Sequence, residues 1–228
     1  MQQVHRKSLW SRSLQRAAGW FMFACLLAAT AAAQADDKRL LVMGDSLSAA
    51  YGLATEQGWV HLLDQRLQRE RPGWRIVNAS ISGETTSGGA ARIAGELARH
   101  APSAVLIELG ANDGLRGLPL EIAGDNLDKM IRAAQDAGAR VGLIGMQIPP
   151  NYGPDYTRGF IAMYADLAAR HELPLEPFLL APIVSERDAF LDDNLHPAAS
   201  AQPRLAEHLW PLLRTLVDAA DAAPTAGN

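Results

Sequence analysis

Short apolar runs and helically spaced apolar residues alternate along most of this 228-residue chain. The short runs predict β-strands, and they cover residues 39–43, 74–77, 104–109, 141–146 and 173–178. Between them, apolar residues recur every three or four positions, which predicts α-helices over residues 59–69, 90–100, 120–137, 156–171 and 200–217. The run 104–109 is read as apolar throughout, as a strand buried on both faces should be. The alternation predicts an α/β fold, a parallel sheet with helices on both faces.

Polar residues directly follow the first three predicted strands. Ser46 comes after the first strand, residues 78–83 after the second and Asn112 after the third. In parallel α/β sheets, ligands bind outside the carboxyl ends of the strands, near the point where the strand order reverses. We therefore expect these residues to meet at one edge of the sheet.

A serine, an imidazole and a carboxylate stand where nucleophilic catalysis could use them. Ser46 ends the first predicted strand in a small-acidic-serine turn, and Asp193 precedes His196 by three residues near the other end of the chain. A nucleophile, a base and an acid that orients the base are the parts of acyl transfer. The sequence therefore suggests a hydrolase.

Each of these segments also has a plainer interpretation. Asp45 or Ser46 could cap a helix, and residues 110–114, including Asp113, could form a turn. Residues 193–197 could be a loop leading into the last helix, with Pro197 in its first turn. Only the joint occurrence of all the segments favours the enzyme over these interpretations.

The first thirty-five residues have the pattern of a secretory signal peptide. Four basic residues precede the apolar stretch 17–33, a small-x-small site spans residues 33–35, and the first acidic residue is Asp36. We expect cleavage before Asp36, a protein of the periplasm or one secreted from the cell, and no stable membrane insertion afterwards. The alternative is a permanent N-terminal anchor. The remaining chain is predicted to be a single domain over residues 36–220, followed by a frayed tail over 221–228.

The composition of the mature chain excludes several classes of function. The signal segment holds four of the 21 basic residues, none of the 25 acidic ones and the only cysteine, Cys25. The mature chain therefore has 17 basic against 25 acidic residues, a net charge of −8, and no thiol. Nucleic-acid partners are not expected, because phosphate binding needs basic patches. Disulfides and cysteine-based metal sites are excluded as well.

Four sequence blocks together resemble the SGNH (GDSL-type) hydrolases, and among them the bacterial periplasmic group of multifunctional thioesterases, proteases and lysophospholipases. The blocks are residues 44–48, 78–85, 109–114 and 193–197. The resemblance covers essentially the whole mature chain. It implies a single-domain, three-layer α/β/α sandwich with a flavodoxin-like parallel sheet of about five strands.

The resemblance also implies a role for each residue that matches the family pattern. Ser46 would be the nucleophile, His196 the general base and Asp193 the residue that orients the imidazole. The N–H groups of Ser46 and Gly83 and the side-chain amide of Asn112 would form the oxyanion hole. Asp192 is adjacent to Asp193 and could hold the imidazole instead, although the family's spacing favours Asp193.

The family implies a small amphiphilic acyl ester or thioester as substrate, which includes aryl esters and lysophospholipids, with no metal and no organic cofactor. Candidate substrate-binding residues are Leu115, Leu118 and Pro119, in an apolar segment after Asn112, and Tyr152. The oligomeric state is left open, with a monomer expected.

Three alternatives remain at this point. One is a carbohydrate O-acetylesterase of the same superfamily, and another is a non-catalytic flavodoxin-like binding module. The third is a metal hydrolase that uses Asp192, Asp193 and His196, although no other clustered His or Cys would complete its site.

Overall fold

The computed structural model describes residues 38–223, so the predicted signal peptide 1–35 and the last five residues of the predicted tail lie outside it. Five parallel strands form one sheet in the order β2-β1-β3-β4-β5. The strands are β1 Lys38–Gly44, β2 Trp74–Asn78, β3 Ala104–Glu108, β4 Arg140–Ile144 and β5 Leu175–Glu176. The helices of the described part are α1 Trp59–Glu70, α2 Thr86–His100, α3 Ala111–Leu115, α4 Leu120–Asp136, α5 Pro154–Arg170 and α6 Gln202–Asp221.

The two central strands, β1 and β3, are the most deeply buried. The side chains of residues 40–43 and 104–107 are inaccessible to solvent, as expected for strands covered by helices on both faces. Helix α1 packs against α6, while α4 lies between α2 and α5. The predicted parallel sheet between two layers of helices is confirmed.

The strand order brings the loops after β1, β2 and β3 to one edge of the sheet. The chain reverses its direction of propagation across the sheet between β1 and β3, since β2 lies on the outer side of β1. The loops after β1, β2 and β3 therefore leave the sheet next to one another, at the edge where ligands bind in such folds.

Two local predictions differ from the structure near the site. Helix α2 begins at Thr86 rather than at residue 90, because Thr85 adopts an extended N-cap conformation and glycines fill the first turns. A Cβ at Gly89 would lie 2.5 Å from Leu109 Cδ1, so the glycine permits close packing of α2 on the core. Residues 111–115 form the short helix α3 instead of a simple turn.

The prediction that residues 104–109 are apolar throughout is wrong, because position 108 is a glutamate at the end of β3. At the other end of the chain, α6 continues beyond the predicted residue 217 to Asp221. Pro203 lies in its first turn, where a missing N–H costs nothing.

Candidate active site

Ser46 lies in a tight turn directly after β1. The backbone N–H of Ala49 donates to the Asp45 carbonyl at 3.0 Å, and that of Tyr51 donates to the Ser46 carbonyl at 3.1 Å. The Asp45 carboxylate accepts the N–H of Leu47 at 3.0 Å. A Cβ at Gly44 would lie 2.5 Å from Ser48 Oγ. This turn needs the glycine and the aspartate that precede the serine, which explains the local sequence without a helix cap.

A hydrogen-bonded chain links Ser46, His196 and Asp193. The Ser46 hydroxyl lies 2.8 Å from His196 Nε2, and His196 Nδ1 lies 2.7 Å from Asp193 Oδ2. The carboxylate requires the Nδ1–H tautomer of a neutral imidazole, so Nε2 is left to accept the serine proton. The structure thus brings together three side chains separated by up to 150 residues in sequence.

Asp193 is held as an anion by a turn of its own. Its Oδ1 accepts the backbone N–H groups of Leu195 at 2.9 Å and His196 at 3.0 Å. The backbone hydrogen bond from His196 and the bond to its ring lower the pKa of Asp193 to about 2. The neighbouring Asp192 contributes only its carbonyl, which accepts weakly from Asn194 and Arg187 at 3.4 Å. Asp193, and not Asp192, contacts the imidazole.

Three N–H groups of the predicted oxyanion hole have no protein acceptor in the described part of the chain. The backbone N–H groups of Ser46 and Gly83 donate to no protein group within residues 38–223. Gly83 has a φ of +79°, a conformation that favours glycine. The Asn112 amide, in the first turn of α3, donates one N–H to Asp45 Oδ2 at 3.0 Å and keeps its second N–H for a ligand.

A pair of buried carboxyl groups, Asp45 and Glu108, lies at the turn that carries Ser46, and it was not predicted from the sequence. Asp45 and Glu108 are almost inaccessible to solvent. Glu108 Oε2 accepts the Ser48 hydroxyl at 2.6 Å, whereas its Oε1 has no partner in the described part of the chain. Burial raises the pKa of Asp45 to about 6. Burial and the adjacent Asp45 raise the pKa of Glu108 well above its usual range. The sequence signal that could have revealed this pair is Glu108, an acid in an otherwise apolar strand.

Asp113, interpreted from sequence as a turn residue, has a structural role instead. Its buried carboxylate accepts the backbone N–H of Thr86 at 2.9 Å and the Thr86 hydroxyl at 2.6 Å. This bond satisfies an N-terminal donor of α2 and ties α2 to α3. Asp113 therefore fixes the helix that carries Asn112.

An apolar cavity of about 570 Å³ opens beside Ser46. Its lining is mainly apolar and comes largely from the segments after β3, β4 and β5. The apolar members are Leu47, Ala111, Leu115, Met146, Ile148, Pro149, Pro150, Phe178, Leu180, Val184, Phe190 and Leu195. The polar members are Asp45, Ser46, Asn112, Gln147, Ser185, Glu186, Arg187 and Asn194. Of the four substrate-binding candidates, only Leu115 belongs to this lining. Leu118, Pro119 and Tyr152 lie outside it, and the Tyr152 hydroxyl donates to the Leu115 carbonyl at 2.7 Å.

Neither a metal cluster nor a membrane-spanning helix occurs in residues 38–223. No group of three or more His, Cys, Asp or Glu side chains within this range is arranged to hold a metal ion. No helix in the same range is long and apolar enough to cross a bilayer.

Known acylhydrolases are similar to this chain in sequence and in fold. The model of the GDSL-like lipase/acylhydrolase family matches residues 42–202. Esterase TesA of Pseudomonas aeruginosa is 47% identical over 193 residues, which are 85% of this chain and 96% of that protein. Thioesterase 1/protease 1/lysophospholipase L1 of Escherichia coli strain K12 is 38% identical over 198 residues, 87% of this chain and 92% of that protein.

A crystal structure of TesA matches with a TM-score of 0.76 and 49% identity, and covers 78% of this chain and 99% of that one. The resemblance inferred from the four sequence blocks is therefore confirmed. This chain is an enzyme that hydrolyses acyl esters, and it belongs to the GDSL-like lipase/acylhydrolase family.

Proposed function

We propose that this protein hydrolyses carboxylic esters and acyl thioesters through a Ser46–His196–Asp193 triad and an acyl-enzyme intermediate. The observation that carries the proposal is the chain of contacts at 2.8 Å and 2.7 Å from Ser46 through His196 to Asp193. Serine is a weak nucleophile unless a base takes its proton. Asp193 stabilises the imidazolium that forms when His196 accepts that proton, and its lowered pKa keeps it anionic throughout.

The reaction then proceeds in two balanced halves. Ser46 Oγ attacks the acyl carbon, its proton moves to His196 Nε2, and the carbonyl oxygen becomes an oxyanion. When the intermediate collapses, the bond to the leaving group breaks and His196 protonates the departing alcohol or thiol. A water molecule, deprotonated by His196, then attacks the acyl carbon of the acyl-enzyme. The bond to Ser46 Oγ breaks, His196 returns the proton to that oxygen, and the carboxylic acid is released.

The oxyanion would be bound by the N–H groups of Ser46 and Gly83 and by the free N–H of Asn112. Donors that are already oriented stabilise developing charge without reorganisation, and removing one typically raises the barrier by about 2.7–4 kcal/mol. The hydrogen bond from Asn112 to Asp45 supports this assignment because it holds the amide in place before substrate arrives.

The apolar cavity beside Ser46 is proposed to hold the acyl chain. Each buried methylene contributes about 0.8 kcal/mol, so a cavity of about 570 Å³ favours medium or long chains over acetyl. Leu115 would contact the chain directly, and Tyr152 would hold the Leu115 backbone. The size of the cavity and its mainly apolar lining argue against a carbohydrate O-acetylesterase, which would need to hold only an acetyl group.

The relatives described above are named as an esterase and as a thioesterase, protease and lysophospholipase, which supports amphiphilic acyl esters and thioesters as the substrate class. We further propose export to the periplasm, on the pattern of residues 1–35. Mass spectrometry of the protein from the periplasmic fraction should give Asp36 as its first residue. An intact N-terminus retained with membranes would support the anchor instead.

The triad is tested by hydrolysis of p-nitrophenyl octanoate. Ser46→Ala should abolish turnover and labelling by a fluorophosphonate, whereas Ser87→Ala, at an exposed serine on α2, should retain both. Equal turnover by the wild type and Ser46→Ala would remove Ser46 as the nucleophile. Turnover of acetyl but not octanoyl esters would favour the O-acetylesterase.

A further inference from the structure

The ring of Tyr51 packs on the imidazole of His196. The two ring centroids lie 4.3 Å apart and the planes are inclined by 34°. The His196 side chain keeps 12% of its exposure, while Tyr51 itself is 50% exposed. An exposed aromatic ring therefore covers one face of the base in the proposed triad.

The backbone holds Tyr51 in this place. Its N–H donates to the carbonyl of Ser46 at 3.1 Å, and the preceding residue, Ala50, has a φ of +58°. A positive φ in a residue other than glycine is uncommon and costs free energy. The turn that presents the nucleophile thus also directs the ring towards the base. The Tyr51 hydroxyl has no hydrogen-bond partner within residues 38–223, so the ring itself makes the contact.

We propose that Tyr51 is a positioning residue for the hydrolysis, in that its ring holds His196 in line with Ser46 and stabilises the imidazolium formed in the transition state. The π-face of an aromatic ring carries partial negative charge and attracts a cation that packs on it. His196 is neutral before the reaction and cationic once it holds the serine proton. Of the charged groups around it, Asp193 contacts the ring nitrogen and Asp45 interacts electrostatically from the nucleophile turn.

The expected effect falls on kcat rather than on KM. Contacts of a cation with an exposed aromatic ring change rates by about 2- to 5-fold. Because the cation exists only in the transition state, losing the contact should lower kcat by that factor and leave KM unchanged. A residue that merely contacted substrate would change KM as well.

Two substitutions distinguish an effect of the Tyr51 π-system from the effect of any apolar side chain that covers His196. Tyr51→Leu keeps an apolar but shorter side chain and removes the π-system, and Tyr51→Phe restores the ring without the hydroxyl. We expect Tyr51→Leu to lower kcat for p-nitrophenyl octanoate about 2- to 5-fold, and Tyr51→Phe to recover the wild-type value. Tyr51→Ala should lose at least as much as Tyr51→Leu, and it provides a second non-aromatic variant.

The result is judged on folded protein, with thermal unfolding and fluorophosphonate labelling measured for every variant. A wild-type kcat for Tyr51→Leu, an equal loss in Tyr51→Leu and Tyr51→Phe, or a change confined to KM would overturn the proposal. It rests on the proposed role of His196. Ser46→Ala, assayed in parallel, distinguishes the failures: if Ser46→Ala retains turnover, the triad itself is refuted, independently of Tyr51.

Discussion

Replacing Asn112 with alanine tests whether its side-chain amide stabilises the transition state. In the structure one N–H of this amide donates to Asp45 at 3.0 Å. The other has no acceptor within residues 38–223, and we propose that it binds the oxyanion. Asn112→Ala removes both interactions and leaves the serine, the base and the acid in place. Catalysis and stability should therefore both fall, for separate reasons.

The two losses differ in size. Loss of one oxyanion donor costs about 2.7–4 kcal/mol of barrier, a fall of roughly 100- to 1,000-fold in kcat. Loss of a hydrogen bond to a buried carboxylate costs about 1–3 kcal/mol of folding free energy. For a domain of this size, each kcal/mol lowers Tm by roughly 2–4 °C. Most molecules should therefore remain folded at 25 °C, so the kinetic loss can be measured on native protein.

The assay compares kcat for p-nitrophenyl octanoate, Tm and the rate of fluorophosphonate labelling. The matched control is Asn126→Ala, which also removes a part-buried amide, one that donates to the Thr86 hydroxyl at 3.2 Å, away from the nucleophile. The control should lose stability with little change in kcat. A fall of less than about 5-fold in kcat for Asn112→Ala would refute its place in the oxyanion hole, because it lies well below the typical cost of one donor.

Three further predictions follow from the same geometry. Asp193→Asn should lower kcat by roughly 1,000- to 10,000-fold, because the amide no longer selects the required imidazole tautomer, whereas Asp192→Asn should change it little; similar losses in both would contradict the assignment. Leu115→Ser should reduce kcat/KM for decanoyl esters more than for butyryl esters, whereas Leu118→Ser, outside the cavity, should preserve the chain-length profile. The raised pKa of Asp45, about 6 against 3.8, means that the folded state binds its proton more tightly than the unfolded state. This carboxyl should therefore lower the free energy of unfolding by about 2 kcal/mol as pH rises from 4 to 7. Urea unfolding of Asp45→Asn should lack that decrease, and an identical pH dependence in both proteins would show that Asp45 is not its source.

Local patterns were sufficient for the architecture. The alternation of apolar runs and helical spacings predicted all five strands. The signal was strongest for the central strands, because strands buried on both faces must be apolar over several consecutive residues. The prediction of a wholly apolar strand failed at Glu108. This acid is buried at the end of β3, where it accepts a hydrogen bond from the Ser48 hydroxyl. It also missed the first turn of α2, where Gly88 and Gly89 weaken the helical signal although the packing requires a helix.

The site was predicted only in part, because sequence patterns report local features and not contacts between distant loops. Ser46, Gly83, Asn112, Asp193 and His196 were identified from short blocks whose turn chemistry is local, and their roles remain to be tested. The apolar cavity could not be predicted, because its walls come from several loops that share no sequence pattern. Leu118 and Pro119 were selected because they follow Asn112 in sequence, and Tyr152 because it follows the next predicted strand. All three lie outside that lining.

The sequence by itself determined the order of strands and helices, the family and the residue types available for catalysis. The order of the elements depends on hydrophobic period and on turns of a few residues, which are local properties of the chain. The family was indicated by the resemblance of four short blocks to its motifs. Only the tertiary structure decided that His196 reaches Ser46 across 150 positions, that Asp45 and Glu108 share a buried site, and that Tyr51 covers the imidazole. Contacts between distant segments depend on how elements pack, and burial then sets the charge state of the groups it encloses.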